Sequence, residues 1–112
     1  MDIDHTLCVS EGLDTYSVAV PIDGAKEALR EFRAKGWWVV LYTARHFNHW
    51  RVTTSWLEEH GFEYDQLVFG KPPARFYVDD RAIRFEGDWG VVSEQVLSSG
   101  SVDRHSEVPT ET

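Results

Sequence analysis

The chain has 112 residues, of which 42% are hydrophobic and 13% aromatic, enough apolar material for one compact domain and too much for a disordered chain. Eleven Lys and Arg against 19 Asp and Glu leave a net charge of −8, which argues against non-specific nucleic-acid binding, because that affinity comes from basic side chains neutralising phosphates; a nucleic-acid end remains an admissible substrate. The longest apolar run, Gly36 to Tyr42, falls far short of the ~20 residues of a membrane span. The N-terminus carries no basic segment followed by an apolar one, and Cys8 alone excludes an intramolecular disulfide, so a reducing cytoplasm is the expected setting.

Taken in order, the chain opens Met1-Asp2-Ile3-Asp4-His5-Thr6-Leu7, then runs through a polar stretch, Ser10 to Ser17, into Val18-Ala19-Val20-Pro21, which reads as a loop or short hairpin. Asp23 is the expected N-cap of a helix that places Ala25, Ala28, Leu29 and Phe32 on one face and stops at Gly36. Trp37 to Tyr42, aromatic and β-branched without a polar break, is the expected buried parallel strand. A second helix is predicted over Phe47 to His60, ended by Gly61, with Trp50, Thr53 or Thr54, and Leu57 on one side. Short strands follow at Gln66 to Phe69 and at Phe76 to Val78, separated by the loop Gly70-Lys71-Pro72-Pro73. A last helix is predicted over Asp88 to Leu97, and the apolar-poor stretch 98–112 reads as a disordered tail, leaving residues 1–97 as the domain.

In an open parallel sheet, ligands bind outside the carboxyl ends of the strands. Three polar groups follow strand-like runs or lie beside them: Asp2, Asp4 and Thr6; Thr43; and Asp79 with Asp80, while Lys71 stands on the loop between two strands. Four aspartates converging there would repel one another without a cation, and all-oxygen ligation suits Mg²⁺. A hydroxyl and an ammonium beside that ion are suited to the oxygens of a transferring phosphoryl group.

The ordered set Asp2-x-Asp4-x-Thr6, Thr43 after an apolar strand, Lys71, and Asp79-Asp80 after another strand resembles the four motifs of the haloacid dehalogenase (HAD) superfamily of phosphatases. The local wording, Tyr42-Thr43-Ala44-Arg45, Gly70-Lys71-Pro72 and Tyr77-Val78-Asp79-Asp80-Arg81-Ala82, is similar to small bacterial and phage members described as capsule- or lipopolysaccharide-associated hydrolases, and to polynucleotide kinase phosphatase domains. The resemblance implies a three-layer α/β fold around a Rossmann-like parallel sheet. It implies Asp2 as nucleophile through an aspartyl-phosphate, Asp4 as general acid and base, Thr43 and Lys71 as phosphate-binding residues, and Mg²⁺ held by Asp2, Asp4, Asp79 and Asp80. Thr6 shapes the loop after the nucleophile, and His5 stands where Gly, Asn or Asp is more usual. Neither the gap from Thr6 to Pro21 nor that from Thr43 to Lys71 has room for a cap domain, so the site is expected to be open to a large phosphorylated substrate or closed by a partner.

Several residues have plainer readings. Arg45 and Arg81 are expected to orient loops or pair with carboxylates. His46 and His49 lack the companions of a zinc site. The five tryptophans are mostly core, with Trp50 kept as a stacking candidate, and Cys8 reads as a small buried apolar residue. Two other functions stand beside the phosphatase: an inactive HAD-fold binding module, and a polynucleotide-end phosphatase domain. The nucleophile of that superfamily ends a central apolar strand, whereas Met1 alone precedes Asp2 in this sequence, so the first strand is expected to be truncated or its start misassigned.

Overall fold

The computed structural model describes residues 1–10 and 13–99, and among these the chain forms a mixed α/β domain with two small sheets. Strands β1 (Cys8–Val9) and β2 (Val20–Pro21) pair antiparallel, with a 3₁₀ turn at Leu13–Val18 between them, where the sequence reads as a loop or short hairpin from Ser10 to Pro21. Helix α1 (Ala25–Ala34) leads to β3 (Val40–Thr43), a 3₁₀ turn (Phe47–His49) and α2 (Trp50–Glu59). After β4 (Gln66–Phe69) a long irregular stretch reaches α3 (Trp89–Leu97). The tail expected beyond Ser99 lies outside the described residues. No helix among those described is long and apolar enough to cross a membrane.

The helices are where the apolar spacing put them, and both internal ones end in the same way. Gly36 and Gly61 adopt the left-handed backbone (φ 96° and 74°), so that Gly36 N–H reaches Arg33 O while Trp37 N–H reaches Phe32 O, and likewise Gly61 N–H reaches Glu58 O and Phe62 N–H reaches Leu57 O. This six-to-one and five-to-two pattern satisfies carbonyls the helix leaves orphaned. It also aims Trp37 and Phe62 back at the core, where Phe62 stacks on Trp56 at 5.3 Å between ring centroids. Gly61→Ala is expected to cost about 1–2 kcal/mol, the left-handed penalty for a residue with a Cβ. Chemical denaturation measures this directly, and an unchanged midpoint would refute the cap.

Two helix starts differ from expectation. Gly24, with φ 85° and no side-chain bond, holds the cap position of α1 in place of Asp23. Asp88, expected as the first residue of the last helix, instead stands ahead of α3 as its cap, its carboxylate accepting from Gly90 N–H at 2.8 Å.

The sheet is the larger correction. Leu41 and Tyr42 pair with Leu67 and Val68 in a parallel ladder, but β3 begins at Val40 rather than Trp37, because Trp37 is spent closing α1. Val39 O and Thr43 O face the β4 side, receiving Gln66 N–H and Lys71 N–H. On the opposite edge the Met1 amino group donates to Val40 O (2.9 Å) and Tyr42 N–H donates to Met1 O (2.7 Å), the pattern of a parallel neighbour. Met1 thus holds one rung of a ladder beside β3. The strand expected at Phe76 to Val78 is not formed. Those residues are irregular and exposed, Val78 completely, with no ladder beside them. A strand persists only when its backbone groups find partners, and no described strand pairs with residues 76–78. The result is two separate two-stranded sheets in place of one continuous parallel sheet.

The core joins the helices to this reduced sheet. Ile3, Leu7, Leu29, Leu41, Trp56 and Leu57 are fully buried or nearly so, and α1 packs against α3. Trp89, at the start of α3, is buried beside Phe32 and Phe85 and donates its indole N–H to Thr6 O at 2.8 Å. On the other side of α1, Arg33 bonds both Glu63 and Asp65, and Asp65 also accepts from Val39 N–H, fastening the helix to the start of β3.

Candidate functional site

The loop that follows Met1 turns tightly over the carboxyl end of β3. Thr6, Leu7 and Cys8 all direct their N–H groups at Ile3 O, and His5 is the one non-glycine residue with positive φ, 63°, among those described. A left-handed backbone costs His5 more than it would cost Gly, Asn or Asp, the residues that the resemblance leads one to expect at this position.

Asp2 is brought to Lys71. Asp2 Oδ1 accepts from Ile3 N–H at 2.8 Å, and Lys71 Nζ stands 3.6 Å from Oδ2, with the lysine side chain about one-fifth exposed. Lys71 is held by its backbone on Thr43 O and by the face of Tyr77, 4.4 Å from its ammonium. Burial and the charge of Lys71 lower the pKa of the Met1 amino group, against the opposing pull of Asp2. Thr43 is fully buried at the end of β3, and its hydroxyl accepts from Arg45 N–H at 3.0 Å. Asp2, Thr43 and Lys71 therefore lie at one end of the small parallel sheet.

Asp4 faces a different partner. Arg45 donates from Nε to Asp4 Oδ2 (2.9 Å) and from a terminal nitrogen to Oδ1 (2.8 Å), a two-pronged pair in which the guanidinium is all but buried. Ser10 adds a hydroxyl bond to Oδ1, Thr53 receives the other arginine nitrogen, and the Tyr16 ring lies 3.7 Å beneath the guanidinium. Burial raises the Asp4 carboxyl, but the hydrogen bonds and charge of Arg45, with Ser10, more than offset it and hold its pKa below the ordinary carboxylate value. Arg45 is thus the carboxylate partner its sequence position suggested. Thr53 has only its place on one side of the second predicted helix as a signal, and Tyr16, in the stretch that reads as a loop or short hairpin, has none. Cys8, buried next to this pair, has its thiol pushed up to about 11 by burial first and by Asp4 second, which keeps it protonated and unreactive near neutral pH.

Asp79 and Asp80 do not form a metal-holding cluster with Asp2 and Asp4. Both are exposed in the irregular stretch after β4, and Asp79 accepts from Arg81 N–H at 2.7 Å in a local turn. Among the described residues no three His, Cys, Asp or Glu side chains gather into a set able to hold a metal ion. The expected Mg²⁺ ligands do not fit the ion as they are arranged: Asp2 faces an ammonium, Asp4 is enclosed by a guanidinium, and the other two complete no metal-holding cluster with them. The displacement has the same physical origin as the missing Phe76 to Val78 strand, since those aspartates depend on that strand for their position. Of the tryptophans, Trp56 and Trp89 are core, whereas Trp38 and Trp50 are exposed.

The arrangement defines a small α/β domain with a polar site at the carboxyl ends of its parallel strands. No protein-family model matches the chain. No curated protein matches it. Among solved structures, the crystal structure of an MCSG target from Vibrio cholerae is 33% identical, with a TM-score of 0.64 over 74% of this chain and 79% of that one. The chain belongs to the same family as that Vibrio cholerae protein. It also shares its fold with chains of the Pnkp1/Rnl/Hen1 complex and of the Pnkp1/Rnl/Hen1 RNA repair complex, at 19% and 18% identity and TM-scores of 0.55. These likenesses cover 87% and 88% of the present chain but only 32% and 30% of the chains compared, so it spans about a third of their length.

Proposed function

We propose that residues 1–97 are a HAD-type domain acting as a binding module for a phosphorylated ligand, without phosphatase turnover in the arrangement described. The observation that carries this reading is that the four aspartates do not gather, while Lys71 and Thr43 remain together beside Asp2. A phosphate dianion approaching Lys71 competes only with the Asp2 carboxylate, whose side chain is more than one-third exposed and free to return to water.

A second reading, a Mg²⁺-dependent phosphomonoester hydrolase with Asp2 as nucleophile and Asp4 as general acid and base, is favoured by the ordered motif residues and by the rung that Met1 makes beside β3. Its polynucleotide-end form draws on the fold shared with the RNA repair complex. Both forms require Asp79 and Asp80 to reach Asp2. Cytoplasmic placement belongs to the same proposal.

Phosphate release from sugar phosphates, nucleotides and 3′-phosphorylated oligonucleotides, measured with Mg²⁺ beside Asp2→Asn, separates the two. The expected result is no release above the Asp2→Asn background, together with inorganic phosphate binding that Lys71→Ala weakens. Turnover that disappears in Asp2→Asn would overturn the binding-module reading in favour of the hydrolase.

A further inference from the structure

The carboxyl ends of β3 and β4 also border an open groove of ≈ 730 Å³, a size suited to a small ligand. Ala44, Phe47, Val68, Phe69 and Pro73 supply apolar surface, and Lys71 stands on its lining. Phe47 is 65% exposed although it meets Phe69 edge to face at 5.5 Å, so a broad ring surface is left toward solvent at the first residue of its 3₁₀ turn. An aromatic side chain exposed to that degree gains by covering its face with another flat group.

The charges on this groove run against those of the whole chain. The protein is strongly acidic, yet the lining includes Arg45, His46 and Lys71 and no carboxylate. Arg45 is committed to Asp4, and His46 accepts Asn48 N–H on Nδ1, which leaves Lys71 as the cation shared by the groove and the Asp2 site. The groove is therefore continuous with the proposed phosphate position.

We infer that the groove receives the planar aromatic group of a phosphomonoester, stacked on Phe47, while its phosphate sits on Lys71; nucleoside monophosphates have this chemistry. The inference rests on the phosphate-binding reading above and adds the part of the ligand that the groove selects.

Calorimetric titration of the full chain with adenosine 5′-monophosphate and with ribose 5-phosphate tests it. The nucleotide is expected to bind at least about fivefold more tightly, the lower end of base stacking on an aromatic side chain. Phe47→Ala, an exposed position at which thermal melting should be unaltered, is expected to abolish that difference and leave the affinity for ribose 5-phosphate unchanged. Equal binding of the two ligands, or a nucleotide preference that survives Phe47→Ala, would overturn the groove assignment while the phosphate reading stands. If neither compound binds, both fall.

Discussion

Asp4→Asn is expected to destabilise the domain by about 3–5 kcal/mol, the cost of leaving one member of a buried ion pair without its partner. This is a large part of the roughly 5–15 kcal/mol that holds a domain folded. The asymmetry of burial decides which half of the pair matters more. Arg45 keeps only 1% of its side chain exposed, whereas Asp4 keeps 24%. Removing the carboxylate charge strands a guanidinium that cannot reach water without opening the packing around Tyr16 and Thr53. Removing the guanidinium in Arg45→Met strands a carboxylate that can rehydrate, so this variant should lie at or below the lower end of the same range. The double variant should recover much of the loss, because its two neutral side chains have no uncompensated charge. Denaturant unfolding of the four proteins gives the coupling energy, and single-variant losses that simply add would show that the two residues do not act as a pair.

The same pair predicts a pH dependence. The Asp4 carboxyl has a lower pKa in the folded chain than its ordinary value. Its stabilisation is thus complete above the unfolded value of ~3.9 and is lost as the pH falls through the depressed folded one. Wild-type stability should fall more steeply with acid than that of Asp4→Asn. Parallel stability profiles for the two proteins between about pH 6 and pH 2 would contradict the assignment.

Trp56→Ala should cost about 3–5 kcal/mol, the usual range for emptying a buried aromatic site. Trp56 is 2% exposed, stacks on Phe62 and donates its indole N–H to Ala19 O at 2.9 Å. It therefore joins α2, the cap after α2, and the segment leading to β2. Truncation removes the ring and leaves the Ala19 carbonyl buried without that donor, so collapse around the cavity cannot recover the whole loss. Trp56→Phe separates the two contributions: it retains most of the packing and should cost about 1–2 kcal/mol, chiefly the hydrogen bond. Thermal melting gives the order of wild type, Phe and Ala variants. A fully stable Trp56→Ala chain would mean that α2 is held by other contacts.

Much of the helical structure was legible because each helix declares itself locally. Ala25, Ala28, Leu29 and Phe32 recur at helical spacing, and Gly36 and Gly61 supply the left-handed turn that ends a helix whatever surrounds it. The strand signals were less complete. Gln66 to Phe69 pairs as its sequence suggests, but the same pattern at Phe76 to Val78 yields no strand, since apolar alternation states only a preference and the ladder partner must come from elsewhere in the chain.

The candidate site divides along the same line. The order of Asp2, Asp4, Thr43, Lys71, Asp79 and Asp80 and the chemistry of each group were determined by the sequence itself, as were α1, α2, α3 and the acidic balance of the whole chain. Only the tertiary structure decided which of those groups meet. Asp2, Thr43 and Lys71 are placed by β3, whose free edge accepts Met1 and whose last carbonyl holds the Lys71 backbone. Asp4 is claimed by Arg45, a choice made by the burial of a guanidinium that must take the nearest carboxylate. Asp79 and Asp80 stay apart because a carboxylate at the end of an unpaired strand has nothing to fix its position, and pairing is a property of neighbours that no stretch of sequence carries alone.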